Sequence, residues 1–258
     1  MEEFASVPPS LRAILQSSSY RRIEQDAGFL DRDEFRPIRL QLEYLKPEFT
    51  QREHDIRSTI VAFGSARLLD VEAAARQLEL APYYDHAREF ERLVFSTYQV
   101  DGHYHDVIVT GGGPGIMEAA NRGAADVGAK SIGFNITLRR EQRPNPDNTP
   151  GLCFQSRYFA LRKMHFMLRA RALVAFPGGF GALDELVEVL TLVQTGKALG
   201  PTMSLFGRAF WEKLIDWDQL IDYGLIGPTD LGLIHFAESA EEAWDVIQAD
   251  QRVKETQS

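Results

Sequence analysis

The chain has 258 residues, 44% hydrophobic and 25% charged, which is enough for one large domain with a substantial core. Its formal net charge of -9 repels a polyanionic backbone, so no nucleic-acid partner is expected. A single cysteine, Cys153, excludes an intrachain disulfide and a cysteine-based zinc site, and reads as a packed, reduced thiol. No run approaches the roughly 20 apolar residues of a membrane span, and the acidic start Met1-Glu2-Glu3 does not resemble a secretory signal. The expectation is a cytoplasmic protein with no membrane partner.

Residues 1–57 carry no strand pattern. Ser10 is placed to cap a short helix through Leu15, and Ile38, Leu40, Leu42 and Leu45 recur at helical spacing between Pro37 and Pro47. This segment reads as a helical extension: a cap on the core, a lid, or an oligomer arm. From Ser58 onward, strand and helix signals alternate. Thr59–Phe63 (TIVAF) predicts a buried strand running into Gly64-Ser65-Ala66-Arg67, and residues 70–98 predict helix with a break near Pro82. Asp106–Thr110 predicts a second strand, Ile116–Val127 a helix, and Ser131–Asn135 a third strand. Residues 137–154 read as a Pro-, Asn- and Arg-rich loop or flap, and Gln155–Arg171 as one helix. Ala172–Phe176 and Thr202–Phe206 predict strands separated by a helix over residues 182–196. Arg208–Tyr223 reads as helix, Leu233–Phe236 as an edge strand, Ala240–Ala249 as the last helix, and residues 251–258 as a polar tail.

This order predicts an α/β fold: a doubly wound, Rossmann-like parallel sheet over residues 58–250 with an N-terminal helical extension. In such sheets ligands sit beyond the carboxyl ends of the strands. Two glycine loops fall there, Gly111-Gly112-Gly113-Pro114-Gly115 and Pro177-Gly178-Gly179-Phe180-Gly181. Glycines let backbone N–H groups approach an anion, and the helix start after each loop adds unpaired donors and a positive dipole end. A phosphate-bearing ligand is the expected guest. Gly64, Ser65, Gly111, Gly112, Gly113, Gly115, Met117, Gly178, Gly179, Gly181 and Ala182 are the candidate binding residues, with Lys163 and Glu188 beside them. On the helix after the second loop, Leu183, Leu186, Val187, Leu190 and Val193 form an apolar stripe, with Asp184, Glu185 and Glu188 off it. Asp184 and Glu185 are placed in the first turn, where the dipole alone favours a carboxylate. Arg162, His165 and Arg169 fall on one helical face, solvated or facing phosphate, with His165 read as a packed or surface residue.

Taken together, Arg162-Lys163, then Pro177-Gly178-Gly179-Phe180-Gly181-Ala182-Leu183-Asp184-Glu185, and the GGGPGIMEAANRGA and EQRPNP stretches resemble the Lonely Guy family, often labelled lysine decarboxylase-like, in its longer bacterial form. The resemblance covers residues 58–250. It implies a phosphoribohydrolase that releases the base from AMP or a cytokinin riboside 5′-monophosphate. Arg162 and Glu185 would form its catalytic pair, and the glycines would hold the phosphate. Glu188 would hold a ribose hydroxyl. It also implies a homo-oligomer, a dimer or larger. No cofactor and no metal are expected; the label implies pyridoxal phosphate chemistry, which nothing in the residues supports. The family motif has Thr where this chain has Ala182, a lost hydroxyl for which Ser65 or Thr110 could substitute. The competing expectation is a non-catalytic nucleotide or molybdenum-cofactor carrier on the same fold.

Overall fold

Four of the strands are buried on every residue because helices cover both faces of the sheet they form. The computed structural model describes residues 8–68, 79–98, 104–138, 143–197 and 200–257. Its elements, in chain order, are α1 (Pro9–Gln16), α2 (Ala27–Leu30), α3 (Arg36–Glu53), β1 (Thr59–Phe63), α4 (Pro82–Tyr98), β2 (Val107–Thr110), α5 (Ile116–Asp126) and β3 (Ser131–Ile136). There follow β4 (Cys153–Ser156), α6 (Phe159–Met167), β5 (Ala170–Ala175), α7 (Phe180–Gln194), β6 (Thr202–Phe206), α8 (Arg208–Leu214), α9 (Trp217–Asp222), β7 (Ile234–Ala237) and α10 (Ala240–Gln257). The predicted helix over residues 70–98 is seen from Pro82; residues 70–78 and part of the flap, 139–142, lie outside the described residues.

All seven strands pair in parallel in the order β4-β3-β2-β1-β5-β6-β7. The chain winds outward from β1 to β4, returns to lay β5 against the other side of β1, and winds outward again to β7. The expected doubly wound α/β sheet is therefore present, with its switch in strand order between β1 and β5. Alternation within β1 divides the core. Ile60 and Ala62 face a cluster with Phe90 of α4, Ile116 of α5 and Trp244 of α10. Val61 and Phe63 face the opposite cluster with Phe166 of α6, Leu186 of α7 and Trp211 of α8. Among the described residues, no helix is long and apolar enough to cross a membrane.

Two compact units divide between Leu45 and Lys46. In the first, α1 and α2 lead to the start of α3. Arg39 donates to the carbonyls of Leu30 and Arg32 at 2.6 and 2.7 Å, and the Phe29 and Phe35 rings lie 4.6 Å apart. The helix expected between Pro37 and Pro47 runs through both. Pro37 sits in the first turn, where a missing N–H costs nothing. Pro47 lies inside the helix, which continues because Pro47, Glu48 and Gln51 are buried. Tertiary packing there outweighs proline's penalty.

Four further expectations are corrected. The single helix over Gln155–Arg171 is three elements: the end of β4, the short α6, and the start of β5. Arg162, His165 and Arg169 do not share a basic face. Arg169 lies beyond α6 and grips Glu48 with two hydrogen bonds of 2.7 and 2.9 Å, while His165 is buried and stacks on Phe134. The helix over Arg208–Tyr223 breaks at Ile215, in extended conformation, and restarts where the Asp216 side chain caps α9 by accepting from Gln219 N. α10 continues through residues 251–257, which the composition marks as a polar tail.

One buried group is out of balance. Glu91 of α4 is 1% exposed, and neither carboxyl oxygen has a hydrogen-bond partner among the described residues. It sits where α4 and α5 approach so closely that a Cβ at Gly123 would meet Arg88 O at 2.3 Å. Burial alone pushes its pKa well above the ordinary 4.5. The unfolded chain ionises Glu91 through pH 4.5 while the fold keeps it protonated, so the fold loses stability as pH rises through that window. Glu91→Met is expected to raise unfolding stability by about 1–3 kcal/mol at pH 8, with a smaller gain at pH 5. Urea denaturation at the two pH values measures it; an equal change at both pH values rejects this account.

Candidate active site

Three strand ends converge at the switch point. β1 ends in Gly64-Ser65-Ala66-Arg67, β2 in the Gly111–Gly113 loop, and β5 in Pro177-Gly178-Gly179 at the start of α7. The two glycine loops are thus not on neighbouring strands: β1 lies between them and contributes a third loop. Backbone bonds lock the three together. Ser65 N donates to Pro177 O, and Ile116 N donates to Ser65 O, each at 3.1 Å. Gly115 (φ +74°) permits this, since a Cβ there would meet Ser65 O at 2.3 Å.

Between the loops opens a cleft of about 680 Å³, within the roughly 300–1,000 Å³ of ordinary ligand pockets. Gly64, Ser65, Gly111, Gly178, Gly179, Gly181 and Ala182 line it, together with Met117, Arg162 and Glu185. A Cβ at Gly179 or Gly181 would touch nothing within 4 Å. Packing does not require glycine at either position, whereas close approach of a ligand to the backbone would.

The other expected residues sit elsewhere. Gly112 and Gly113 lie behind the cleft. Asn135, Asn145 and Asn148 all bond Gly112 O, Asn145 through its backbone N, and the Asn145 amide also donates to Gly113 O at 2.8 Å. Gly112 N donates to Thr110 Oγ1, which in turn donates to Asn121 Oδ1. Thr110 is therefore committed to holding the loop and is fully buried, so of the two hydroxyls considered only Ser65 borders the cleft. Lys163 bridges Asp184 and Glu188 at 2.9 Å each, away from the cleft lining.

α7 begins at Phe180, two residues before the expected start, so Asp184 and Glu185 lie beyond the first turn and the helix dipole does not account for them. The inward face of α7 is Ala182, Glu185, Leu186 and Val189, while Val187 is half exposed. Glu185 is thus a buried carboxyl on the core side, 8% exposed. Arg162 Nη2 donates to its Oε1 at 2.6 Å. The Arg162 guanidinium lies 5.2 and 5.3 Å from the ring centroids of Phe159 and Phe166, and its Nε is buried without a hydrogen-bond partner among the described residues. Burial lifts the Glu185 pKa to about 7; Arg162 opposes the rise, Asp184 adds to it, and Lys163 opposes it more weakly. A carboxyl titrating near neutrality suits proton transfer at physiological pH.

Sequence reasoning missed the apolar walls, Ile136, Leu138, Phe159 and Leu214, along with Arg67 and the exposed Phe180 at the rim. The spacing Phe159-x-x-Arg162 was the available signal, because residues three apart on a helix meet. Cys153 is half buried; burial pushes its thiol up, with Asn135 Nδ2 3.6 Å from the sulfur. Among the described residues, no group of three His, Cys, Asp or Glu side chains is arranged to hold a metal ion.

Residues 117–247, about half of the chain, match the family described as "Possible lysine decarboxylase". The chain belongs to this family. Its relatives include a probable cytokinin riboside 5′-monophosphate phosphoribohydrolase of Oryza sativa subsp. japonica, 28% identical over 55% of this chain and 68% of that one. A cytokinin riboside 5′-monophosphate phosphoribohydrolase of Arabidopsis thaliana is 30% identical over 53% of this chain and 64% of its own. The chain therefore spans about two thirds of these relatives' length. Among solved structures, the Moco carrier protein from Chlamydomonas reinhardtii superposes with a TM-score of 0.50 at 19% identity, over 75% of this chain and 96% of that one. TM1055 does so with a TM-score of 0.50 at 16% identity, over 74% and 99%. At these identities the likeness shows the shared fold.

Proposed function

We propose that the protein hydrolyses the N-glycosidic bond of nucleoside 5′-monophosphates, AMP or a cytokinin riboside 5′-monophosphate, to free base and ribose 5-phosphate. The observation that carries this reading is the buried Arg162–Glu185 pair, 2.6 Å apart, opening into a cleft floored by glycine loops. Cleavage at C1′ passes through a transition state in which the ribose carries positive charge, as in glycoside hydrolysis. Ionised Glu185 stabilises that charge and takes a proton from the attacking water as its oxygen bonds C1′. The C1′–N bond breaks, its electron pair leaves with the base, and the base nitrogen receives the proton held by Glu185. Arg162 fixes the direction of the carboxylate and stays cationic throughout. The apolar walls, Ile136, Leu138, Phe159 and Leu214, receive the flat face of the base. The names of the Oryza and Arabidopsis relatives point the same way.

A second reading, a non-catalytic nucleotide or molybdenum-cofactor carrier, draws on Ala182 at the motif threonine and on the fold shared with the Chlamydomonas carrier. The test is release of base from AMP, GMP, CMP and isopentenyladenosine monophosphate, beside calorimetry with AMP. Base release with at least one substrate is expected. Tight AMP binding without release from any of them overturns the hydrolase in favour of the carrier.

A further inference from the structure

We infer that Arg67 is the residue that meets the substrate's 5′-phosphate with a positive charge, in place of the hydroxyl missing at Ala182. The inference rests on the proposed hydrolysis of nucleoside monophosphates and adds a binding residue to it. Three observations lead to it. The first is the state of the cations near the cleft. Arg162 is committed to Glu185, and Lys163 is committed to Asp184 and Glu188 away from the cleft lining. Arg67 lines the cleft, is exposed, and has no side-chain partner among the described residues. A phosphate dianion entering the cleft brings two negative charges, while glycine N–H groups offer only partial ones.

The second observation is that Arg67 is held in place. Its backbone N donates to Ser65 Oγ at 3.1 Å. Ser65 is bonded through N to Pro177 O and through O to Ile116 N, and the next residue, Leu68, is buried. The loop that carries the guanidinium is therefore pinned by both glycine loops. An arginine on such a loop keeps its fork near the anion at a smaller entropy cost than on a free segment.

The third is the shortage of other donors. Ala182 has none, and the Thr110 hydroxyl is buried in its bonds to Asn121 and Gly112. Ser65 Oγ accepts from Arg67 N and retains its own proton, so Ser65 and Arg67 form a donor pair on one loop.

The experiment titrates ribose 5-phosphate into the wild-type protein, Arg67→Ala and Arg67→Lys by calorimetry, and measures kcat and KM with AMP on the same three proteins. Arg67→Ala is expected to weaken ribose 5-phosphate binding and raise KM by roughly tenfold or more, the loss of one charge-assisted contact. Its kcat should stay near wild type, and Arg67→Lys should recover most of the binding. An unchanged dissociation constant in Arg67→Ala overturns the inference, as does a wild-type protein that binds no ribose 5-phosphate. A kcat loss without a KM change also overturns it. Ribose 5-phosphate binding that depends on Arg67, in a protein that hydrolyses no nucleotide, supports Arg67 as the phosphate's charge and overturns the hydrolase reading alone.

Discussion

Glu185→Gln is expected to lower the rate of base release from AMP by roughly 10²–10⁴-fold, the contribution of a positioned acid–base group, with the fold unchanged. The substitution isolates one property. Glutamine keeps the shape of the side chain and keeps an oxygen that can accept from Arg162 Nη2, now 2.6 Å from Glu185 Oε1. It cannot ionise and cannot carry a proton. A loss of kcat with unchanged unfolding behaviour therefore assigns the effect to charge and proton transfer. Wild-type turnover in Glu185→Gln would exclude Glu185 from the chemistry.

The same residue sets the pH profile. With its pKa at about 7, Glu185 is mostly protonated at pH 6 and mostly ionised at pH 8. The ionised form is the one that stabilises the ribose cation, so wild-type kcat/KM should climb through pH 7 and level off above it. The residual rate of Glu185→Gln should show no such limb. A limb at the same pH in the variant would assign the titration to another group.

The strands that carry the site were legible because both sheet faces are covered: β1 and β2 read as short runs dominated by consecutive apolar residues, Ile60–Phe63 and Val107–Val109. β4 was not. It is four residues at the sheet edge with only Phe154 and Ser156 buried, and Cys-Phe-Gln-Ser carries no run and no β-branched residue. The start of β5 was read as helix because Ala170 and Arg171 are good helix formers, and pairing with β1 overrides that preference. The glycine loops were legible as glycines directly after strands. What holds the first of them was not, because Asn121, Asn135 and the Asn145–Asn148 loop come from three separate segments and meet only once β2 and β3 are side by side. The Glu48–Arg169 pair joins residues 121 positions apart for the same reason. The burial of Glu185 was hidden by its charge, since a carboxylate is ordinarily assigned to the polar side of a helix. The contradiction between its residue type and its position, a buried ionisable group facing a cleft, is what makes it a candidate for function.

Arg162→Ala tests the other half of the pair, and its effect divides between stability and activity. Removing one partner of a buried ion pair costs about 3–5 kcal/mol when the stranded charge must remain. Glu185 has an alternative. Its pKa is already near 7, and Arg162 is the main influence holding it down, so without the guanidinium the carboxyl keeps its proton to higher pH. Relative to wild type, stability is then lost mainly above neutrality, because the wild-type fold lets Glu185 ionise at about pH 7 while the variant's fold keeps it protonated. Urea denaturation should show a small deficit relative to wild type at pH 6 and a larger one at pH 8. Activity fares worse, since at pH 7 the carboxyl that should be ionised is neutral and no longer aimed. The acid limb of kcat/KM should move to higher pH, and the maximum should fall. Arg162→Lys restores the charge but neither the planar fork nor the contact with Phe159 and Phe166. It should return the limb toward pH 7 while leaving the maximum low. An acid limb that stays at the wild-type position in Arg162→Ala would show that the 2.6 Å contact does not tune Glu185, and that Arg162 acts on the substrate directly.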